Sequence, residues 1–295
     1  MLSLASFRYR DVFEPDGGPI ERIVTAEFPV FGRRLWQANA FLRPGLVPLR
    51  RLAMYCNCNG TGAHQSPMVA RQMAVSEALE RWAFHSTVRS VSCSEFGFDV
   101  DESSNGMAAF PGFSRRPARQ AAVFEAYERF CLLHWWERKI DGVVCATEWP
   151  GVTALRFEPA PGVVAVLLFA RSASGFHVYG HSASASFLKA CRRALLELIR
   201  NEIVVRYGCV VAKRSWGERL TDRFEQRAWF FSTDEGHELI QARLAERVRD
   251  IPSIPEVICD REIVGPWSEY ATIWRFAFRP PSKRFLTDDE RYFFW

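Results

Sequence analysis

A twelve-residue segment of this chain occurs twice. Residues 70–81 read ARQMAVSEALER and residues 118–129 read ARQAAVFEAYER, with nine of twelve positions identical. Each copy follows an Asn-Gly dipeptide, and a fainter third copy, KACRRALLELIRNE, keeps the first glutamate as Glu197. The repeated residues are Glu, Glu and Arg, which packing in a core does not require. The repetition therefore predicts one functional site built from several similar helices.

The spacing of apolar residues predicts α-helices over 67–85, 115–136 and 185–207. Pro67 and Pro117 lie near the starts of the first two, where a first helical turn tolerates proline. Strands are predicted at 22–31, 52–58, 143–147, 163–170, 176–179 and 270–278. A turn, HSASAS at 181–186, is predicted to open the third helix, and a further amphipathic helix is predicted from Asp234 to residue 250. These elements indicate an α/β protein with mixed sheets and helices.

No low-complexity linker divides the chain. We therefore expect an internally duplicated core over residues 1–211 and, over 212–295, a C-terminal appendage of the same domain. With 48% hydrophobic and 24% charged residues, the composition is typical of a soluble globular protein. The longest apolar run, residues 162–170, is too short to span a bilayer, and the N-terminus lacks the apolar core of a secretory signal. We expect a cytoplasmic protein.

The cysteine pattern argues against a zinc site, and the charge pattern argues against nucleic-acid binding. The eight cysteines contain no C-x-x-C pair, which favours reduced, mostly buried thiols over a zinc site. The net charge is +4, and arginine pairs are spread along the chain instead of forming one basic stripe. Nucleic-acid binding is not expected.

The repeated glutamates have the spacing of a cation site. Residues three apart on a helix share a face, so Glu77 projects with Glu80 and Glu125 with Glu128. If the two helices pack face to face, four carboxylates converge, and two carboxylates about 4 Å apart repel by roughly 4 kcal/mol at an effective dielectric near 20. Mg²⁺ completed by phosphate oxygens suits such ligands. The alternative is two exposed faces with local ion pairs, and the repetition favours the site.

No conventional nucleophile motif is present: the chain lacks G-x-S-x-G, a Walker lysine loop, G-x-G-x-x-G and H-E-x-x-H. Phosphate recognition could use the glycine-containing turns before the helices, because free N–H groups at a helix start attract anions. Among the six histidines, His64 is the best pocket candidate, since it lies in the loop before the first repeated helix.

At these residues the chain resembles the YcaO-domain family. The resemblance rests on three signatures between residues 57 and 206: a glycine-containing loop followed by A-x-x-x-A-x-x-E-x-x-E-R at 70–81, S-N-G-x-A-A at 104–109 leading into the second E-x-x-E-R helix, and a helix carrying A-L-x-E at 194–197. The resemblance implies a YcaO-like fold with a nucleotide cleft between the repeated helices. It also implies ATP- and Mg²⁺-dependent activation of a peptide backbone amide, giving an azoline, a thioamide or an amidine.

Carried over by motif position, the resemblance assigns roles to individual residues. The metal ligands would be Glu77, Glu80, Glu125, Glu128 and Glu197. Asn105 would contact the nucleotide, and Arg81 and Arg129 would be either phosphate contacts or structural partners of the acids. The family implies a precursor peptide as substrate and a separate leader-binding or sulfur-supply partner; the chain could also form a homodimer.

The sequence departs from the family pattern at two places near the expected nucleotide. The first loop, Gly60 to His64, lacks the usual lysine, and Arg200 replaces a usual glutamine. Arg200 could pair with a phosphate in place of that lysine, or with a neighbouring acid. These departures leave open a second interpretation, a non-catalytic binding or scaffold subunit of a peptide-modifying complex.

Overall fold

The computed structural model describes residues 7–13, 17–30, 33–49, 51–112, 114–211, 220–246, 248 and 255–293. The chain divides into two compact units. Unit 1 comprises residues 1–50, 57–126 and 256–279, and unit 2 comprises residues 51–56, 127–255 and 280–295. The C-terminal region thus contributes to both units. The boundary that we predict at 211/212 stays a prediction.

Unit 1 contains two antiparallel sheets and one long helix. Strands β1 (Ile20–Val30), β2 (Arg33–Leu42) and β3 (Gly60–His64) form a sheet in that order. Helix α1 (Pro67–Thr87) packs on this sheet, and Ser66 caps its N-terminus by accepting from the Val69 N–H. Strand β10 (Thr272–Phe278) forms the second sheet, lying between β4 (Met107–Phe110) and β9 (Val257–Glu262).

Unit 2 is built on a four-stranded antiparallel meander. Its strands are β5 (Val143–Ala146), β6 (Val152–Ala160), β7 (Val163–Arg171) and β8 (His177–Ser184), paired in chain order. Helix α3 (Phe187–Arg206) packs on β7 and β8. Two shorter helices follow, α4 (Arg223–Ser232) and α5 (Asp234–Ala245), and a single turn, α6 (Arg284–Thr287), lies near the C-terminus. Helix α2 (Arg115–Trp136) begins in unit 1 and ends in unit 2.

Each unit brings a helix unusually close to a strand through a glycine. A Cβ atom on Gly60 of β3 would lie 2.1 Å from the Ala74 carbonyl oxygen of α1. On Gly180 of β8 it would lie 2.1 Å from the Ala194 carbonyl oxygen of α3. No side chain fits at such distances, so only glycine permits this approach. The helices present buried alanines at the contact, which keeps both backbones close.

Most predicted elements agree with the structure. Helices α1, α2 and α3 match the ranges predicted for them within two residues, and Pro67 occupies the first turn of α1. The helix predicted from Asp234 ends at Ala245, and residues 247, 249 and 250 of its predicted range lie outside the described residues. Among the described residues, no helix combines the length and apolar character that a membrane crossing needs.

Three predictions about the glycine-rich and flanking segments were wrong. Residues 52–58 are not a strand, because the N–H groups of Ala53, Met54 and Tyr55 donate to the buried Glu225 carboxylate at 2.5–2.9 Å instead of to a neighbouring strand. Residues 60–64 form β3, where a loop was predicted. The turn predicted at 181–186 is mostly the end of β8.

Candidate functional site

Strand β3 and helix α1 hold Glu77 in unit 1. The backbone N–H and the hydroxyl of Thr61 both donate to Glu77 Oε2, at 3.0 and 2.9 Å. Arg81, one turn further along α1, lies 3.8 Å from Glu77 Oε1. Both side chains remain about one-third exposed. One carboxylate oxygen is therefore fixed by the strand, while the other faces the partly exposed Arg81 guanidinium.

Glu80 shares the same helix face in a more crowded position. Burial raises the pKa of its carboxyl group well above the usual value, and Glu77 raises it further, whereas Arg81 and the Ala109 N–H act in the opposite direction. Ala109 belongs to β4, so the strand that follows Asn105 also contacts this acid. A raised carboxyl pKa marks a place where negative charge is poorly compensated, and a bound cation would relieve it.

Strand β10 fixes the loop that carries Asn105 through hydrogen bonds. Arg275, which is fully buried, donates to the carbonyl oxygens of Phe96, Asp101 and Ser103 at 2.7–2.9 Å. The Phe276 N–H donates to the Gly106 carbonyl oxygen at 2.7 Å. Gly106 has φ = +74°, a left-handed conformation that favours glycine. Asn105 is thereby presented, partly exposed, at a fixed backbone turn.

In unit 2, His181 contacts two of the predicted metal ligands. Its Nδ1 lies 2.6 Å from Glu128 Oε1 and 3.5 Å from Glu197 Oε2, and its backbone N–H donates to Glu197 Oε2 at 3.2 Å. Glu128 lies on α2, Glu197 on α3 and His181 on β8. The side chains of Glu128 and His181 are only 15% and 16% exposed, so this contact is largely shielded from water.

The charges of His181 and Glu197 depend on one another. Burial opposes protonation of His181, but the carboxylates of Glu197 and Glu128 outweigh it and raise its pKa to about 9. Burial also raises the pKa of Glu197, with Glu128 adding to the rise and His181 and Arg200 opposing it. At neutral pH, His181 is therefore an imidazolium that compensates two carboxylates.

The predicted phosphate contacts occupy different surroundings. Arg129 is buried, with its guanidinium carbon 4.3 Å from the centre of the Phe285 ring. Arg200 lies partly exposed on α3, close enough to lower the pKa of Glu197. His64 is exposed at the end of β3, and its Nδ1 accepts the Ser66 N–H at 2.9 Å. Whether any of these side chains contacts a nucleotide stays a prediction.

The predicted metal ligands lie in both units. Glu77 and Glu80 belong to unit 1 and Glu197 to unit 2, while Glu125 and Glu128 share one face of α2 on either side of the division. Convergence of all five stays a prediction. Among the described residues, no three His, Cys, Asp or Glu side chains are grouped to hold one metal ion. Mg²⁺ commonly uses only one or two carboxylates with waters and phosphates, so the pairs fit its requirements.

Two residues of the candidate site, Thr61 and His181, were not predicted from the sequence. Each follows the glycine at which a helix approaches its strand, and each donates its N–H to a glutamate sixteen residues later. The common spacing of Gly60-Thr61 to Glu77 and of Gly180-His181 to Glu197 was a signal in the sequence. This spacing was overlooked because the repeat at 70–81 and 118–129 has a much higher sequence identity.

No family model and no curated protein matches the chain. Solved structures do match the chain. The YcaO protein from Methanopyrus kandleri bound with AMPPCP and Mg²⁺ matches with a TM-score of 0.54 and 15% identity, covering 98% of this chain and 92% of that one. The E. coli microcin synthetase McbBCD complex with pro-MccB17 bound contains a chain that matches with a TM-score of 0.53 and 11% identity, over 86% of each.

These matches establish the class of fold. The chain is a mixed α/β protein with the YcaO fold, as the three sequence signatures predicted. The fold extends over nearly the whole chain, including the C-terminal strands β9 and β10 that the signatures do not reach.

Proposed function

We propose that this protein is a YcaO-type enzyme that uses ATP and Mg²⁺ to activate a backbone amide of a ribosomally made peptide. The observation that carries the proposal is the recurrence of one construction in both units of a YcaO fold. In each, a glutamate predicted to bind metal is anchored through one oxygen by the N–H of the residue after a close-packed glycine. Fixing one oxygen orients the other, which a coordination site requires.

The residues divide into three roles under this proposal. Glu77, Glu80, Glu125, Glu128 and Glu197 would hold Mg²⁺, which supplies charge neutralisation for the phosphates when bound. Asn105, held by the Arg275-supported loop, would contact the nucleotide. Arg81 and Arg200, which are partly exposed and lie close to Glu77 and Glu197, would pair with the phosphates. The chain would align the amide, and the substrate would supply the nucleophile in azoline formation.

The two M. kandleri and E. coli matches support the proposal through what those proteins bind. One is bound with AMPPCP and Mg²⁺, and the other is a microcin synthetase complex with pro-MccB17 bound. By analogy, the substrate here is a precursor peptide, and a separate protein delivers it or supplies sulfur. Azoline, thioamide and amidine products all remain compatible with the site.

Calorimetric titration with ATP tests the proposal, in MgCl₂ and again in EDTA. We expect binding only with Mg²⁺, and a loss of at least about tenfold in affinity for Glu77→Gln and Glu125→Gln, because a carboxamide keeps the shape but removes the charge. Glu95→Gln is the matched control, since Glu95 forms an exposed ion pair with Arg261. If Glu77→Gln and Glu125→Gln both bind as tightly as this control, the acids are not metal ligands.

A second candidate function is a YcaO-like subunit that binds without turnover. The observation that favours it is His181, whose imidazolium already compensates Glu128 and Glu197. Phosphate release measured with peptides encoded near the gene distinguishes the two functions. Mg²⁺-dependent ATP binding without peptide-stimulated phosphate release would support the non-catalytic subunit, whereas stimulated release would support the enzyme.

A further inference from the structure

Two histidines of unit 2 stack face to face. His177 lies on β8 and His237 on α5, and the centroids of their imidazole rings are 3.8 Å apart with an angle of 8° between the ring planes. His177 is only 7% exposed, and His237 is partly buried. Two imidazolium rings at this separation repel each other, because little water lies between their charges to screen them. The stack therefore tolerates one positive charge and disfavours a second.

Hydrogen bonds give the two rings different protonation states. His177 Nε2 donates to Asp234 Oδ1 at 2.9 Å, so a carboxylate balances a charge on this ring. His237 Nε2 accepts from the Gln241 side-chain amide at 3.1 Å, since an amide nitrogen only donates. The proton of His237 is then on Nδ1, which lies 2.9 Å from the Tyr179 hydroxyl oxygen. Both nitrogens of His237 are thus used by a neutral ring.

The charges around His237 also favour its neutral form. His177 faces it from β8 and Arg171 from the end of β7, while Asp234 lies on α5 itself. Burial lowers the pKa of His237, with His177 and Arg171 adding to the fall and Asp234 opposing it. Asp234 lies 3.6 Å from the Arg171 guanidinium as well as accepting from His177. Because Asp234 is shared between these two groups, it offers His237 little compensation for a positive charge.

The two ends of α5 are held by contacts of different kinds. Near its end, the 4% exposed Arg243 donates from Nε to the Trp135 carbonyl oxygen and from Nη2 to the Ile140 carbonyl oxygen, contacts that do not change at mildly acidic pH. At its start, Glu235 pairs with Arg291 at 2.6 Å, but both side chains are exposed and such pairs contribute little. The start of α5 therefore depends on the histidine stack and its hydrogen bonds.

We propose that the His177–His237 stack is a pH-sensitive latch that holds the start of α5 against β8. When the solution is acidified, His237 binds a proton at Nε2 and loses the hydrogen bond from Gln241. The new charge is repelled by His177 and Arg171, and the start of α5 separates from β8, while Arg243 keeps the end of the helix in place. Nucleotide, metal and peptide play no part in this change. The inference therefore goes beyond the proposed function and can fail independently of it.

The sign of the pH dependence follows from where the proton binds more readily. In the separated state the His237 ring is hydrated and its pKa has the ordinary value of 6.5, whereas burial lowers this pKa in the latched state. The separated state therefore binds the proton more readily. The latch is unaffected above about pH 6.5 and weakens as the pH falls below that value.

Hydrogen exchange measured by mass spectrometry at pH 7 and pH 5 tests the latch on the full chain. Dividing the rate for an unstructured peptide at the same pH by each measured rate gives a protection factor. Helix α3 is the reference, because it belongs to the same unit and responds to any general loss of stability. We expect the protection of α5 to fall roughly threefold or more relative to α3 between pH 7 and pH 5. An equal fall in both helices would overturn the inference.

A variant that cannot bind the proton isolates the contribution of the latch. His237→Phe keeps an aromatic ring for the stack, and we expect its α5 protection relative to α3 to be the same at pH 7 and pH 5. His64→Phe, at an exposed position of unit 1, is the matched control and should retain the fall of the parent. If His237→Phe shows the same fall as His64→Phe, His237 is not the group that responds to pH.

NMR of the parent labelled with ¹⁵N-histidine tests the latch even if His237→Phe fails to fold. The chemical shifts of the ring nitrogens report both the charge and the tautomer of each imidazole. We expect His237 to be neutral at pH 7, with its proton on Nδ1. A charged His237 at pH 7, or a neutral ring with its proton on Nε2, would contradict the hydrogen bonds on which the latch depends.

Discussion

The two glycine-anchored helices, α1 on β3 in unit 1 and α3 on β8 in unit 2, share a backbone arrangement but differ in charge. In unit 1 the residue after the glycine is Thr61, a neutral hydroxyl donor to Glu77. In unit 2 it is His181, a cation between Glu197 and Glu128. The same backbone contact therefore serves two different sites. In unit 1 it leaves Glu77 open to an external cation, whereas in unit 2 Glu128 and Glu197 share the His181 imidazolium.

Separate residues therefore set the backbone geometry and the charge of the site. The glycines determine how closely the helix approaches the strand, and so where each glutamate lies. The following residue determines how much negative charge remains. The backbone approach and the remaining charge can therefore be altered separately by substitution.

Replacing either glycine should damage both units in the same way. Gly60→Ala and Gly180→Ala place a Cβ 2.1 Å from a helix carbonyl oxygen, so strand and helix must separate. We expect each to lower the free energy of unfolding by about 3 kcal/mol or more, measured by urea denaturation. Gly151→Ala is the control, because Gly151 has φ = +77° and no atom within 4 Å of an added Cβ, and should cost only about 1–2 kcal/mol. A cost at Gly60 or Gly180 no greater than at Gly151 would contradict the close-packing argument.

The sequence predicts the features that depend on neighbouring residues better than those that depend on residues distant in the chain. The helical periods around Pro67 and Pro117 are local, so α1 and α2 were predicted almost to the residue. The glycines of β3 were interpreted as a loop, since glycine is rare in strand interiors unless another backbone approaches. That backbone, α1, becomes evident only in three dimensions.

The irregular segment at 52–58 and the role of His181 could not be predicted locally. The segment donates backbone hydrogen bonds to Glu225, about 170 residues away. Its strand-like pattern of side chains does not indicate that partner. His181 acquires its charge from Glu128, 53 residues earlier, as well as from Glu197. The glutamates themselves were predictable because the chain repeats them.

A second histidine of unit 2, His134, differs from His181 because its surroundings lower its pKa instead of raising it. His134 is 4% exposed, and burial lowers its pKa from 6.5 to about 4. The unfolded chain therefore binds a proton more readily than the folded one between these values. We expect stability to fall as pH decreases from 6.5 to 4, by roughly 3 kcal/mol from this residue.

His134→Gln should reduce that loss, as measured by urea denaturation at several pH values between 7 and 4. His64→Gln, at an exposed position, is the control and should retain the dependence of the parent. An identical pH dependence in the parent and in His134→Gln would show that His134 does not remain neutral in the folded protein.

Converting unit 2 to the pattern of unit 1 tests the internal cation directly. His181→Thr leaves Glu128 and Glu197 without their imidazolium, and we expect a loss of about 2 kcal/mol at pH 7 without Mg²⁺. A double-mutant cycle with Glu128→Gln should give a coupling energy of about 1 kcal/mol or more, because the two residues share one contact. Additive effects would mean that His181 and Glu128 are independent, and the difference between the units would then lie elsewhere.

The smallest expected effect concerns the neutral anchor of unit 1. Thr61→Val keeps the side-chain volume and the backbone N–H that donates to Glu77, but removes the hydroxyl that donates to the same oxygen. We expect a loss of about 1 kcal/mol in the free energy of unfolding, typical of one hydrogen bond. The loss should vary little between pH 6 and 9, because a hydroxyl does not titrate there. If Thr61→Val costs as much as His181→Thr, the strength of the anchor does not depend on its charge. Unit 1 would then hold its glutamate as firmly as unit 2, with no cation of its own on the strand.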